Sequence, residues 1–328
     1  MNKSRSLTVR FVPQSAERID EKDILKKIEI CGRVCYKSED KIKEGSALAF
    51  YEKIVKNGHH SVLEHVRISM RRLFCKETPR SSYLSEFEKY MLIFEGMEYR
   101  EVTVQDEKAL EISGNLRSWA ILLNQTWNDP TFGSIAKKIE INYVVRELCR
   151  IFPEFDRLLS FSTTAMKTHA GMIAGHSYVF EQDTKYSTFR FVTDRGISHE
   201  LVRHRLASFS QESTRYCNYG EEITFIEYDS DTIKKSMLLS AQAYECLLNQ
   251  GLSPQMARSV LPNGLKTELI MTATDDQWKY IRSLRESKAA HPMVRELMEL
   301  AFSPKITNVR ISTTKKYATK YLDLTFTV

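Results

Sequence analysis

The chain has 328 residues, 42% of them apolar, and carries 48 basic against 42 acidic side chains for a formal charge of +6. That is enough to build one large or two ordinary folded units without help, and the mild positive excess, spread along the chain, suits phosphate-bearing small ligands at least as well as a nucleic-acid backbone. No run approaches the ~20 apolar residues of a membrane span, and the start lacks the apolar stretch and small-residue cleavage site of a secretory signal, so a soluble, cytoplasmic protein with no membrane partner is expected.

In chain order, Leu7–Val12 alternates like a strand, and Glu21–Tyr36 and Lys41–Lys56 carry apolar residues at helical spacing. Asn57-Gly58 ends the second helix, and Ser61-Val62-Leu63-Glu64 has the form of a capping box that opens another. From about Glu77 to Lys185 the character changes to polar loops, two β-like runs (Tyr90–Glu95 and Arg100–Gln105) and helical patterns at Asn115–Thr126 and Ser134–Phe152. Thr188–Thr193 resumes a strand, Ile197–Ser208 reads as a helix and Glu222–Glu227 as a strand after the Tyr219-Gly220 turn. Helices at Asp229–Asn249, Pro254–Val260 and Asp275–Phe302 follow, with β-like tails at Val309–Ser312 and Leu322–Thr327. The elements mix without the regular strand-helix alternation of a doubly wound sheet, which predicts an α+β fold.

The six cysteines (Cys31, Cys35, Cys75, Cys149, Cys217, Cys246) form no CxxC pair and no His/Cys cluster, so free thiols and no metal site are expected. Neither GxGxxG nor GxxxxGK[ST] occurs, so any phosphate must be held by side chains. Arginine suits that task because its planar fork donates two parallel hydrogen bonds to phosphate or carboxylate.

Attention therefore falls on ELVRHRLASFSQESTRYCNY, Glu200–Tyr219. On a helix over Ile197–Ser208, Arg203 and Arg205 would point about 200° apart and meet different ligands. If the chain then runs extended, Gln211, Ser213 and Arg215 share one face, offering an amide, a hydroxyl and a guanidinium together. On composition and spacing alone a solvated basic corner is the commoner outcome. Arg203-His204-Arg205, Ser213 and Arg215-Tyr216, however, resemble the R-H-R, seven residues, S, then R-Y signature of the flavin-dependent thymidylate synthases. Further segments resemble that family in the same order: Gly58-His59-His60-Ser61-Val62-Leu63-Glu64-His65, then Ala257-Arg258-Ser259-Val260-Leu261-Pro262 with Thr267-Glu268, then Ser283-Leu284-Arg285 with Arg295-Glu296.

The resemblance implies that residues 1–76 and 186–328 form a discontinuous core of mixed α and β structure, with an inserted α+β segment over 77–185. It implies a deoxyuridylate site of Glu200, Arg203, Gln211, Glu212, Ser213, Thr214, Arg215, Arg258 and Arg285. Arg285 would act catalytically by favouring the ionised uracil ring, since a neighbouring cation stabilises an anion. An FAD site would use His59, Ser61, Arg203, His204, Arg205 and Gln211. Methylenetetrahydrofolate and NADPH are implied as co-substrates, a homotetramer as the assembly, and methylation of deoxyuridylate to thymidylate as the reaction. No sequence feature identifies a site for NADPH.

Departures from the family pattern are specific. Glu200 stands where the family usually has Gln, and a carboxylate accepts hydrogen bonds without donating them. Thr274-Asp275-Asp276 and Tyr280 replace an N-A-R and a later Asn that touch flavin, and Gly114-Asn115-Leu116-Arg117-Ser118 echoes that missing element, though a helix start explains it more simply. Cys217 reads as a packed residue, Cys31 and Cys35 as core, Phe189, Phe191, Phe209 and Tyr216 as core aromatics, His199 and His291 as structural, and Arg71-Arg72 as a solvated turn. Two other functions are weighed: an FAD-dependent pyrimidine-nucleotide enzyme delivering another group such as hydroxymethyl, and a basic nucleic-acid-binding module, for which no RNP-like aromatic signature or dense Lys/Arg run speaks.

Overall fold

The computed structural model describes residues 7–73, 84–104, 107–132, 135–161 and 178–302. They form two compact units, one of Met1–Glu21, Glu29–Lys43 and Ser187–Val328, the other of Lys22–Ile28 and Glu44–Tyr186.

The first unit joins distant parts of the chain. Strand β1 (Thr8–Val12) pairs in parallel with β9 (Glu222–Ile226), and β2 (Ser15–Arg18), β7 (Tyr186–Asp194), β10 (Lys266–Thr274) and β8 (Ser208–Gln211) lie side by side in that order. Helices α6 (Arg195–Leu201), α9 (Asp275–Arg285) and α10 (Pro292–Phe302) supply Leu201, Trp278, Ile281 and Leu297 to one core with Phe191, Leu269 and Met271 of the sheet. A second core gathers Val9, Ile223, Phe225 and Leu265 with Met237 and Tyr244 of helix α7 (Asp231–Asn249) and Ala257 of the short α8 (Pro254–Ala257).

The second unit holds an antiparallel sheet ordered β4 (Met97–Val104), β5 (Glu107–Asn115), β3 (Arg67–Leu73) and β6 (Tyr178–Gln182). Around it lie α2 (Ser46–Lys56), α3 (Glu86–Ile93), α4 (Leu116–Asn128) and α5 (Ile135–Ile151), while α1 (Ile24–Val34) runs through the point where the units divide. Its central strand, β3, comes from before residue 77 and bonds to β5 and β6 from the middle block, so sheet pairing draws that block together with earlier chain.

Several expectations change. Tyr90 belongs to helix α3, because Ser85 and Glu88 close a capping box: Ser85 Oγ accepts from the Glu88 N–H at 3.0 Å and the Glu88 carboxylate accepts from the Ser85 N–H at 2.8 Å. Ser61 and Glu64 form no such box; the segment is a tight 3-10 turn, His60–His65, with His59 at its N-cap and no side-chain cap bond. The helix placed over Ile197–Ser208 ends at Leu201, since Ser208–Gln211 is recruited as a strand against β10. The single helix over Asp275–Phe302 is two, because Pro292 lacks an N–H and disfavours helical backbone at His291. Arg72 is no solvated turn: it is 5% exposed on β3 and ion-paired with the fully buried Glu88. Tyr216 is 57% exposed and tilts against Tyr36 at 5.8 Å instead of joining Phe189 and Phe191 in the core. The β-like tails at 309–312 and 322–327 lie outside the described residues.

Candidate functional site

Within the first unit, β8 ends at Gln211 and the next residues turn inward. The Glu212 N–H bonds to the Glu268 carbonyl at 2.9 Å and the Ser213 N–H to the Cys35 carbonyl at 3.2 Å, and Thr214–Tyr216 form a turn in which the Arg215 N–H reaches Ser213 Oγ at 3.3 Å. Gln211, Ser213 and Arg215 therefore do not share an extended face, as the alternation had suggested. They sit on successive steps of a loop, with Gln211 donating to Ser198 Oγ at 2.8 Å and Thr267 Oγ1 at 3.3 Å.

Beneath that loop lies a buried chain of charges. Glu212, 3% exposed, accepts from the Tyr219 hydroxyl at 2.8 Å and from Lys266 Nζ at 3.1 Å. Lys266 also pairs with Glu268, which takes Arg190 Nε at 2.8 Å, and Arg190 extends the chain towards Glu17. Burial alone would raise the Glu268 carboxyl, but Lys266 and Arg190 beside it outweigh that and hold it at about 2. Both Glu212 carboxylate oxygens are thus engaged within the chain, and the side chain braces the loop. Sequence reasoning missed Lys266 and Arg190; the alternating run Lys266–Thr274 was the available signal, masked by two charges on one face of a buried strand.

The Arg-His-Arg triplet lies just past α6, whose N-cap Asp194 accepts from the Ile197 N–H at 2.6 Å. His204 is 6% exposed, whereas Arg203 and Arg205 are exposed and have no ion-pair partner among the described residues. Because α6 ends at Leu201, the expectation that Arg203 and Arg205 point about 200° apart from one helix does not hold. Arg285, at the end of α9, turns back onto this segment: Nη1 donates to the Glu200 carboxylate at 2.7 Å, Nη2 to the Glu200 carbonyl at 2.8 Å, and Nε to His204 Nε2 at 3.0 Å. His204 must be neutral with its proton on Nδ1 to accept that bond. Burial first, and Arg285 second, lower its affinity for a proton.

Arg258, brought in by α8, donates from Nη1 to Thr214 Oγ1 at 3.1 Å, and Arg215 Nε donates to Gln255 at 3.0 Å while both guanidinium groups stay exposed. The structure thus brings Gln211, Glu212, Ser213, Thr214, Arg215 and Arg258 to one loop region, and Glu200, His204 and Arg285 into one bonded cluster. Asp275 and Asp276 occupy the first turn of α9 behind the N-cap Thr274, where acidic groups suit the helix dipole; Asp275 accepts from Ser187 Oγ at 2.7 Å and Asp276 from Lys279 Nζ at 2.7 Å. Cys217 is 5% exposed and burial pushes its thiol up to about 11, which suits packing and not nucleophilic attack.

In the second unit, His59 and Ser61 lie at the start of the 3-10 turn, with Ser61 exposed. His65 at its end is 1% exposed and burial lowers its pKa to about 3. Asn115 caps α4 by accepting from the Ser118 N–H at 2.8 Å, and Arg117 pairs with Glu64 at 2.5 Å. The Asn-x-Arg-Ser echo is therefore a helix start. Among the described residues, no three His, Cys, Asp or Glu side chains gather to hold a metal ion, and no helix is long and apolar enough to cross a membrane.

Comparison with known proteins gives these residues a context. Residues 19–81 and 157–305 match the family described as "Thymidylate synthase complementing protein". The chain is 31% identical over 138 residues to a flavin-dependent thymidylate synthase of Geobacter sulfurreducens, covering 38% of this chain and 58% of that one. It is 31% identical over 157 residues to that of Pyrococcus furiosus, covering 44% and 62%, and 31% identical over 143 residues to a probable flavin-dependent thymidylate synthase of Mycobacterium phage D29, covering 38% and 60%. The match thus spans somewhat less than two thirds of these relatives' length. Among solved structures, a UMP/dUMP methylase from Streptomyces cacaoi bound with 5-Br UMP aligns over 35% of this chain and 66% of its own at 19% identity and a TM-score of 0.31.

Proposed function

The chain belongs to the thymidylate synthase complementing protein family, and from that premise we propose that it is a flavin-dependent thymidylate synthase, converting deoxyuridylate to thymidylate with methylenetetrahydrofolate as one-carbon source and NADPH as reductant. The observation that carries the reading is the gathering within one unit of Gln211, Ser213, Thr214 and Arg215 on one loop beside Arg258, and of Arg285 against the Arg-His-Arg segment.

In this reading Arg215 and Arg258 hold the nucleotide phosphate. Their guanidinium groups are exposed, carry no carboxylate partner among the described residues and flank the Ser213 and Thr214 hydroxyls, a donor set that phosphate accepts readily. Gln211 is fixed by Ser198 and Thr267 and orients the ligand side of the loop, while the Glu212–Lys266–Glu268 chain keeps the loop from collapsing. Arg285 lies beside the pyrimidine ring and draws electron density from it.

The same donor chemistry fits FAD. Arg203 and Arg205, exposed and without an ion-pair partner among the described residues, offer their guanidinium groups to a diphosphate, and both acidic residues at the start of α9 are engaged within the chain. Arg203, His204, Arg205 and Gln211 of the first unit would hold the cofactor, and the family resemblance adds His59 and Ser61. When bound, the flavin supplies the hydride chemistry; the protein contributes binding, orientation and charge. A homotetramer completes the proposal.

The test is to reconstitute the purified chain with FAD and supply deoxyuridylate, methylenetetrahydrofolate and NADPH. Thymidylate formed together with deoxyuridylate-dependent NADPH oxidation is expected. A preparation that takes up no FAD, or that yields a pyrimidine nucleotide other than thymidylate, overturns the reading.

A further inference from the structure

We infer that Glu200 is a positioning residue which sets how much of the Arg285 charge reaches a bound pyrimidine ring. The inference rests on the reading of Arg285 as the group beside that ring. A guanidinium has five N–H donors. Three have acceptors within the chain: the Glu200 carboxylate at 2.7 Å, the Glu200 carbonyl at 2.8 Å and His204 Nε2 at 3.0 Å. Two N–H groups remain for a ligand, enough for a bidentate contact. The charge behind them is another matter.

A ring that loses its proton becomes an anion, and it would share one cation with a carboxylate already in contact with it. His204, neutral and accepting from Nε, adds no charge. The Arg285 and Glu200 side chains are 20% and 35% exposed, so solvent screens the pair only in part. A Gln at position 200 could keep the bond from Nη1 through its amide oxygen, yet would leave the full positive charge to the ring. Glu200 therefore trades electrostatic pull for a fixed guanidinium orientation: the bound ring stays closer to neutral, and rings of differing acidity are discriminated less.

The probes are deoxyuridylate and 5-fluorodeoxyuridylate, whose fluorine makes the ring proton more acidic, titrated calorimetrically into the full FAD-saturated chain at one pH. Glu200→Gln should raise the preference for the fluorinated nucleotide about tenfold, since one unit of ring pKa is a factor of ten and a neighbouring charge moves a pKa by at least about that much. The 19F resonance of the bound ligand should move towards that of the ionised ring. Glu200→Asp, which keeps the charge, should leave the preference near that of the unaltered protein. An unchanged preference in Glu200→Gln with both nucleotides still bound overturns the inference and leaves the thymidylate synthase reading intact. If Glu200→Gln does not fold, the 19F shift in the unaltered protein decides: at a pH equal to the free ligand's ring pKa, a bound ring half ionised or less supports the inference and one fully ionised overturns it. Binding of neither nucleotide to the unaltered protein overturns both readings together.

Discussion

Replacing Lys266 by Met removes the ammonium that bridges Glu212 and Glu268 and isolates the electrostatic support of the signature loop. Lys266 and Glu212 side chains are 11% and 2% exposed and meet at 3.1 Å. In the variant Glu268 keeps Arg190, whereas Glu212 retains, among the described residues, the Tyr219 hydroxyl alone as side-chain partner. Breaking a buried pair from one side in this way costs about 3–5 kcal/mol. Glu268, held at about 2 by Lys266 and Arg190, contributes stability that is present above pH 4.5 and lost as pH falls from 4.5 towards 2. Urea unfolding of both proteins at pH 7 measures the deficit free of that titration. Adding Glu212→Gln to Lys266→Met should recover most of the loss. A deficit below about 1 kcal/mol at pH 7 refutes the assignment of this network as a buried support.

The remaining predictions are shorter. Arg258→Ala should raise the deoxyuridylate KM at least about tenfold, because a charge-assisted bond to phosphate contributes about 1.5–3 kcal/mol; steady-state kinetics reads this, and an unchanged KM would remove Arg258 from the site. Trp278→Ala should cost about 3–5 kcal/mol by opening a cavity among Phe189, Phe191 and Phe302, read as a lower urea midpoint. His65, lowered from 6.5 to about 3 by burial, takes up a proton more readily unfolded than folded, so stability falls as pH drops from about 6.5 towards 3. His65→Asn should flatten that part of the stability profile, and a slope identical to that of the unaltered protein would contradict the buried neutral ring.

What could be read from the residues was periodic or local. Helices α2, α4, α5 and α7 carry clear apolar stripes, and the signature motifs fell on the loops and helix ends that carry the candidate site. What could not be read depended on partners far along the chain. Ser61-x-x-Glu64 and Ser85-x-x-Glu88 have the same spelling, and only the second closes as a box, with Glu88 also buried against Arg72. Strand β10 went unread: its Lys266 and Glu268 are neutralised by each other and by Glu212 and Arg190, which lie more than 50 positions away. The helix drawn through Arg203 failed because β8 is held by β10, a pairing that local propensity does not reveal.

The pairing of β1 with β9 matters for how the chain acquires its shape. Thr8 faces Glu222 and Ala16 faces Phe191, so the earliest strands must wait for partners made much later, and β8 waits further for β10. The sheet of the second unit is complete once Gln182 has been made. On the ribosome, the second unit's strands are thus all available while β1 and β2 still lack partners, and closing such long loops is slow. For that interval Val9 and Phe11 present an unpaired apolar edge, which makes the nascent chain, more than the finished one, the form that needs protection from aggregation.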